Sequence, residues 1–245
     1  MEQPKRVALI TGASRGLGRE IATLFAQRGM ELVLTARGAE ALREMLEELG
    51  KLTTVVALPG DVGDPAHADQ LVRLGLQRFG KVDVLVNNAS SIGASPMPRL
   101  EAYPLDALAK VFEVNVMAPL HLVQLVLPQM RERGDGVIIN VTSDVAVRAY
   151  PGWGGYSTSK AALEQLSRVL AAELKGSGIR IYVVDPGDMN TQMHREAEPD
   201  VDLSQLPGPE VPAPAFQYLV DHETALFGRF EAQELAQAAL NRVSK

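Results

Sequence analysis

Cysteine is absent from the chain. That excludes disulfides, thiolate metal sites and cysteine nucleophiles, and it is consistent with a reducing compartment. An excess of positive charge is also missing: 24 Lys and Arg stand against 30 Asp and Glu, for a net charge of −6. Nucleic-acid and anionic-membrane surfaces both need a basic footprint, so neither partner is expected. No stretch approaches the roughly 20 apolar residues of a membrane span. Met1-Glu2-Gln3-Pro4-Lys5-Arg6 runs straight into Val7-Ala8-Leu9-Ile10, an apolar run too short for a signal segment, so the expected location is cytoplasmic.

What is present is an ordinary globular balance. The 245 residues, 46% hydrophobic and 22% charged, suit one large α/β domain with a core of normal size. Short apolar runs at Val7–Ile10, Glu31–Ala36, Thr54–Leu58, Val82–Val86, Gly136–Val141 and Ile179–Val184 alternate with amphipathic stretches near 16–28, 39–49, 65–79, 104–131 and 156–175. The short runs carry Val, Ile and Leu on both faces, as strands of a parallel sheet covered by helices must. Gly29 and Gly50 sit where helices end. The expected fold class is α/β: a Rossmann-like doubly wound parallel sheet with helices on both faces, in a single domain over 1–245.

The stretches 104–131 and 156–175 are apolar nearly all round, through Val111, Phe112, Val114, Leu120, Leu122 and Leu125 in one and Leu163, Leu166, Val169 and Leu170 in the other. Covering a sheet needs one apolar stripe. The second is either deep cover or a subunit interface, and the chain is expected to be a homo-oligomer, tetramer or dimer, through these helices. Residues 188–215 break the rhythm with Pro199, Pro207, Pro209, Pro212 and Pro214. Such a long irregular insert is expected to be a mobile substrate-binding lid.

Thr11-Gly12-Ala13-Ser14-Arg15-Gly16-Leu17-Gly18 follows the first strand and opens the first helix. Glycines let the backbone turn sharply and approach a ligand, and a helix N-terminus offers free N–H groups to a pyrophosphate. A glycine cluster alone is weak, but the strand–loop–helix context strengthens it. NAD sites place an acid on the ribose 2′-hydroxyl at the end of the second strand. Here that strand ends Leu34-Thr35-Ala36-Arg37, with no acid. Arg37, with Arg15 as a second clamp, can bind a 2′-phosphate, so the expected cofactor is NADP(H); a solvated strand-end arginine is the alternative. Asp61-Val62 and Asn87-Asn88-Ala89 lie at further strand ends, where such sheets bind ligands and where ordinary turns also occur.

Tyr156 and Lys160 are four apart at the start of a helical stretch, hence on one face. Free tyrosine ionises near pH ~10, and a neighbouring ammonium lowers that value toward useful acid/base chemistry. Ser143 ends the fifth strand, where its hydroxyl can polarise a carbonyl. Asn115 lies inside an apolar helix, where a polar side chain is costly unless satisfied; it could anchor a water that passes protons to Lys160. Singly, these read as a surface pair, a helix cap and a core amide. Together, at the carboxyl edge of one sheet beside a dinucleotide loop, they read as an active site.

The chain resembles the classical short-chain dehydrogenase/reductase family across roughly residues 5–232. The resemblance rests on Thr11-Gly12-x-x-x-Gly16-x-Gly18, Asp61, Asn87-Asn88-Ala89, Asn115, Ser143, Tyr156-x-x-x-Lys160 and Pro186-Gly187-x-x-x-Thr191. It implies a tetrad in which Ser143 positions the substrate and Tyr156 transfers the proton. Lys160 would hold the ribose and lower the tyrosine pKa, and Asn115 would support a water relay. It also implies that Asp61 and Val62 contact adenine and Thr191 the carboxamide. Gly12, Ser14, Arg15, Gly16, Leu17, Gly18, Arg37, Asn88, Ala89, Pro186 and Gly187 complete the expected cofactor set. Ser90 departs from the family's usual glycine, a change that needs only modest space. The usual C-terminal Val-Asp-Gly-Gly is missing; Gly228–Ala232 is expected as the last strand, followed by a tail over 233–245 that leaves the active site untouched.

The expected activity is hydride transfer between nicotinamide and a small-molecule carbonyl or alcohol, with no metal. The substrate pocket is expected to include Val145, Tyr150 and Trp153, the aromatics either stacking on substrate or packing under the loop. Arg148, His194 and Arg195 could meet an anion or simply be solvated. The competing class is a dinucleotide-binding regulator or scaffold without turnover, whose signature would be a damaged tetrad beside an intact glycine loop. Fold alone does not name the substrate.

Overall fold

A computed structural model describes residues 5–243, with side chains described to residue 238. Met1–Pro4 and the last two residues of the expected tail lie outside them. Seven strands form one parallel sheet in the order β3-β2-β1-β4-β5-β6-β7. They are β1 (Val7–Thr11), β2 (Glu31–Ala36), β3 (Val55–Pro59), β4 (Val84–Asn87), β5 (Gly136–Val141), β6 (Ile179–Asp185) and β7 (Phe227–Glu231). Between them run α1 (Gly16–Gln27), α2 (Ala39–Leu49), α3 (Pro65–Phe79), α4 (Leu105–Phe112), α5 (Ala118–Arg133), α6 (Gly154–Glu173), α7 (Gln192–Ala197), α8 (Ala213–His222) and α9 (Ala232–Val243).

Alternating strand residues feed two cores. Ala8, Ile10, Leu32, Leu34, Ile139 and Val184 face α1, α2 and α8, through Phe25, Met45 and Phe216. Leu9, Val33, Leu85, Ile138 and Ile181 face α3, α5 and α6, through Leu71, Val126 and Ala171. The chain order reverses between β1 and β4. At such a switch point the loops leave in opposite directions and open a crevice at the carboxyl ends.

Local signals explain the helix ends. Asp64 caps α3 by accepting from Ala66 N at 2.9 Å, Pro65 fills the first turn, and Gly80 closes it at φ +76°. By contrast α1 follows Arg15, whose side chain makes no cap, so its first N–H groups stay available.

Several boundaries differ from expectation. β4 starts at Val84 rather than Val82, because the Gln129 amide bonds both the N–H and the carbonyl of Val82, at 3.3 and 3.0 Å. The stretch expected over 104–131 runs from Leu105 to Arg133 as α4, a π-helical turn over Glu113–Met117, and α5. By length and composition it is long and apolar enough to cross a membrane, contrary to the sequence expectation. Its buried stripe, Leu122, Val123, Val126 and Met130, lies in the core beside β4 and β5, as in a helix covering a sheet. Residues 188–215 are not wholly irregular: they contain α7, which Thr191 caps by accepting from His194 N at 3.3 Å, and the start of α8. β7 begins and ends one residue earlier than expected.

Candidate active site

The glycine loop is shaped by what it excludes. Gly12 and Gly16 take φ of +66° and +54°, a left-handed backbone that favours glycine. A methyl group at Gly12 would lie 2.8 Å from Asn88 Nδ2, and one at Gly18 would lie 2.3 Å from the Gly12 carbonyl oxygen. The loop is held from β4: Asn88 Nδ2 donates to the carbonyls of Thr11 and Gly12 at 2.9 and 3.2 Å, and Thr11 Oγ1 accepts from Asn88 N and Ala89 N at 3.0 and 2.9 Å. Thr11 thus joins the expected residues as an anchor of the loop. The result is a concave backbone surface with an uncapped helix start, which fits an anionic pyrophosphate.

Around this cradle, Ser14 is half-buried, Leu17 buried, and Arg15 and Arg37 exposed. Neither arginine has an ion-pair partner among the described residues, so both are available to a phosphate. Ala36 keeps the strand end acid-free. Asp61 is exposed and accepts from Gly63 N at 2.9 Å, and Val62 is buried behind it. Pro186 is buried, Gly187 takes φ +71°, and a methyl at Gly16 would sit 3.8 Å from Thr191 Cγ2, which brings the Pro-Gly segment over the glycine loop.

The second part of the site is built from side chains. Tyr156 and Lys160 share a face of α6, with the Lys160 ammonium 5.4 Å from the centre of the Tyr156 ring. Lys160 is 2% exposed and donates to the Val141 carbonyl at 2.8 Å. Ser143 lies at the end of β5, where it donates to Asp144 Oδ1 at 3.2 Å and caps a short turn through Val145 N at 3.4 Å.

Burial, not Lys160, dominates the shift of the Tyr156 phenol, contrary to the expected lowering. Desolvation pushes the Tyr156 phenol above its usual 10.0, and the Asp185 and Asp144 carboxylates push the same way. Burial also pushes Lys160 down from 10.5 to about 7. Partial desolvation of the phenol and burial of the ammonium favour their neutral forms, and the lysine points at Val141 rather than at the phenol oxygen.

Asn115 is held by four hydrogen bonds. It sits in the π-helical turn, 1% exposed, and such turns recur at functional sites. Its Nδ2 donates to Ser91 O and Ser159 Oγ, each at 2.9 Å, and its Oδ1 accepts from Ser91 N at 2.8 Å and Ser90 Oγ at 3.1 Å. The side chain therefore ties the loop after β4 to α6; it makes no direct bond to Lys160 among the described residues.

Of the expected pocket residues, Val145 is buried and Trp153 packs edge-on against Tyr156, ring centres 6.0 Å apart at 63°. Tyr150 lies at the exposed rim and donates to Asp144 Oδ2 at 2.8 Å. Asp144, which opens the stretch 144–155 expected to wall the pocket, is a carboxylate directly beside Ser143. Arg148 reaches Asp144 at 3.9 Å from an exposed position, and His194 is turned toward Met189 O and Glu198.

Behind the pocket, Arg229 bridges Glu164 on α6 and Asp185 at the end of β6, at 3.0 and 3.2 Å, while Thr142 donates to the same Glu164 oxygen at 3.0 Å. The expectation that the tail leaves the site untouched fails at one residue. Gln233 Nε2 donates to both Pro186 O and Asp188 O at 3.1 Å.

Comparison with known proteins identifies the family. The family model for short chain dehydrogenases matches residues 6–202. The chain is similar to the 2-(R)-hydroxypropyl-CoM dehydrogenase of Xanthobacter autotrophicus, 38% identical over 77% of this chain and 76% of that one. Among solved structures it is similar to a short-chain dehydrogenase from Streptomyces avermitilis, with TM-score 0.80 and 32% identity over 100% of this chain and 95% of that one. It is also similar to a short chain dehydrogenase from Shigella flexneri complexed with NADP, with TM-score 0.82 and 28% identity over 93% and 97%. The chain belongs to the short chain dehydrogenase family, a family of oxidoreductases.

Proposed function

We propose that the protein is an NADP(H)-dependent oxidoreductase that interconverts a carbonyl and an alcohol. The observation that carries this is the Tyr156–Lys160 pair, a half-buried phenol and a buried ammonium on one face of α6, at the same sheet edge as the uncapped glycine cradle of α1. When bound, the nicotinamide supplies or accepts the hydride. Gly12, Ser14, Gly16, Leu17 and Gly18 would hold its pyrophosphate. Asp61, Val62, Asn88 and Ala89 would line the adenosine side, and Pro186, Gly187 and Thr191 the nicotinamide side.

In the reduction direction Ser143 orients the substrate oxygen and Tyr156 delivers a proton to it. A phenol held in its protonated form by burial is ready for that task at neutral pH. The phenolate left behind is stabilised once Lys160 carries its proton. Asn115 keeps the loop after β4 and the start of α6 in register. Trp153, packed on Tyr156, limits how far the ring can turn.

The preference for NADP(H) rests on Arg37 and Arg15, unpaired at an acid-free strand end, and on the NADP held by the Shigella relative. The exposed Leu105, Met117 and Val169 support a homo-oligomer formed through α4, α5 and α6.

Absorbance of NADPH and NADH is followed with a panel of ketones and aldehydes, using the native chain, Tyr156→Phe and Arg37→Ala. Tyr156→Phe is expected to lower kcat by about 10²–10⁴-fold while cofactor binding persists. Arg37→Ala is expected to raise the KM for NADPH about tenfold or more and leave that for NADH unchanged. Full activity of Tyr156→Phe overturns the mechanism, and equal use of both cofactors by the native chain overturns the preference. Cofactor binding without turnover of any panel member favours the regulator reading.

A further inference from the structure

We propose that Asp144 determines substrate specificity, and that the substrate carries a hydroxyl on the carbon beside the one that is oxidised or reduced. This names the substrate class of the proposed oxidoreductase, so it rests on Ser143 and Tyr156 handling the substrate oxygen. Asp144 opens a short turn, Asp144–Ala146, that packs against α6, the helix carrying Tyr156 and Lys160.

Two acceptors compete for one hydrogen. Ser143 Oγ accepts from Val145 N at 3.4 Å and donates its hydrogen to Asp144 Oδ1 at 3.2 Å. In that arrangement the serine offers a substrate only a lone pair. A carbonyl oxygen, or the anionic oxygen that develops from an alcohol, needs a donor instead. Holding the substrate oxygen therefore requires the Ser143 hydroxyl to turn away from Asp144. Oδ1 then loses its one partner among the described residues, whereas Oδ2 keeps the Tyr150 hydroxyl at 2.8 Å and the Arg148 guanidinium at 3.9 Å.

The Asp144 side chain is 36% exposed, enough for water to reach it until a substrate fills the pocket. A substrate that excludes water and brings no donor leaves a charged acceptor unsatisfied, which is costly. A hydroxyl on the neighbouring carbon removes that cost. The two oxygens of an α-hydroxy ketone lie side by side, as Ser143 Oγ and Asp144 Oδ1 do, so one accepts from the serine while the other donates to the carboxylate. A vicinal diol is held in the same way in the oxidation direction. An ammonium is the other donor that fits a carboxylate, but Arg148 already answers the Asp144 charge, and a second cation would meet like charge. A neutral hydroxyl does not.

The test uses the full chain as native protein, Asp144→Asn, Asp144→Ala and Tyr156→Phe, with NADPH binding followed by fluorescence to show that each variant is folded. Reduction is measured on ketone pairs that differ by a hydroxyl in place of a methyl: hydroxyacetone against butanone, and α-hydroxyacetophenone against propiophenone. The readout is the ratio of kcat/KM within each pair, in which general damage to Ser143 cancels. The native ratio is expected to favour the hydroxy ketone by about tenfold to a hundredfold. Asp144→Ala is expected to lower that ratio about tenfold or more, and Asp144→Asn, which keeps an acceptor oxygen, to lower it less. An Asp144→Ala ratio equal to the native one, or a native preference for the methyl ketones, overturns this inference alone when Tyr156→Phe is inactive. Turnover of aminoacetone in preference to hydroxyacetone overturns the choice of a hydroxyl. Native protein that binds NADPH and reduces no member of either pair overturns the assigned class. Full activity in Tyr156→Phe overturns the proposed function and this inference with it.

Discussion

The two halves of the sheet's carboxyl edge are made of different material. Beyond β1 and β2 the surface is backbone: Gly12 and Gly18 packed too closely for any methyl, Gly16 in a left-handed turn, with exposed arginines at the rim. Beyond β4, β5 and β6 it is side chains, through the bridges from Asn87 to Asn140 to Ser167, from Ser90 to Asn115 to Ser159, and from Arg229 to Glu164 to Thr142. The first half recognises by shape and by the fixed partial charge of a helix start. The second sets proton affinities by burial and hydrogen bonding, because desolvation acts on titratable groups and the first half has few.

If the difference is real, the first half breaks sterically and the second breaks with pH. The largest effect is expected at Gly18. Its added methyl meets the Gly12 carbonyl at 2.3 Å and Asn88 Nδ2 at 2.5 Å, both part of a braced loop. Gly18→Ala should cost about 1–3 kcal/mol of stability by overpacking and weaken NADPH binding about a hundredfold by displacing the loop. Gly38, at the same edge with open space around it and φ −77°, is the control. Gly38→Ala should stay within about 0.5 kcal/mol of neutral, because the gain in chain stiffness offsets a weaker helix cap. Denaturation and fluorescence titration check both; similar effects at the two glycines would dissolve the contrast.

The next effect tests the side-chain half. Unfolded lysine ionises near 10.5, whereas Lys160 in the fold does so at about 7. Between those values the unfolded chain holds a proton the folded chain lacks, so stability rises with pH. The contribution is complete above 10.5 and is lost as pH falls through about 7. Lys160→Met has no such term. The stability of the native chain relative to Lys160→Met should therefore grow by about 1.4 kcal/mol per pH unit between about pH 7.5 and 9.5. A flat difference would show that the ammonium stays charged in the fold.

The backbone half was the more legible in sequence. Glycine spacing, an apolar strand and an acid-free strand end are local features, and Val7 to Gly18 carries most of them in one run. The strands were readable for the same reason, as apolar runs on both faces. In the side-chain half, Tyr156 and Lys160 could be paired because one helix joins them. What could not be read were the consequences of contacts across the chain: Ser90 on Asn115, 25 residues away, and Gln233 on Pro186, 47 away. The direction of the Tyr156 shift failed likewise, since burial outweighs a neighbour whose aim only the fold sets. The π-helical turn at Asn115 has no signature in residue type, because it is a surplus residue in a continuous apolar helix.

The smallest expected effect falls where the two materials meet. The Pro186–Asp188 segment is backbone that faces the glycine loop, yet a single side chain from α9 holds it. Gln233 Nε2 reaches Pro186 O and Asp188 O, and a methyl at Gly187 would meet that same nitrogen at 2.6 Å. Gln233→Ala removes two part-exposed bonds whose acceptors can turn to water, so global stability should fall by only about 1 kcal/mol. The local effect should be larger, since among the described residues the segment keeps only the Gly187 N to Asp185 bond at 2.9 Å as its other tie to the strand end. Amide exchange at Gly187 and Asp188 should accelerate about tenfold in Gln233→Ala, with exchange in β1 unchanged. Exchange that accelerates equally in both places would make Gln233 a general stabiliser and remove the tail's specific tie to the site. Unchanged exchange at Gly187 would assign the hold on this segment to its own turn, returning it to the backbone half of the edge.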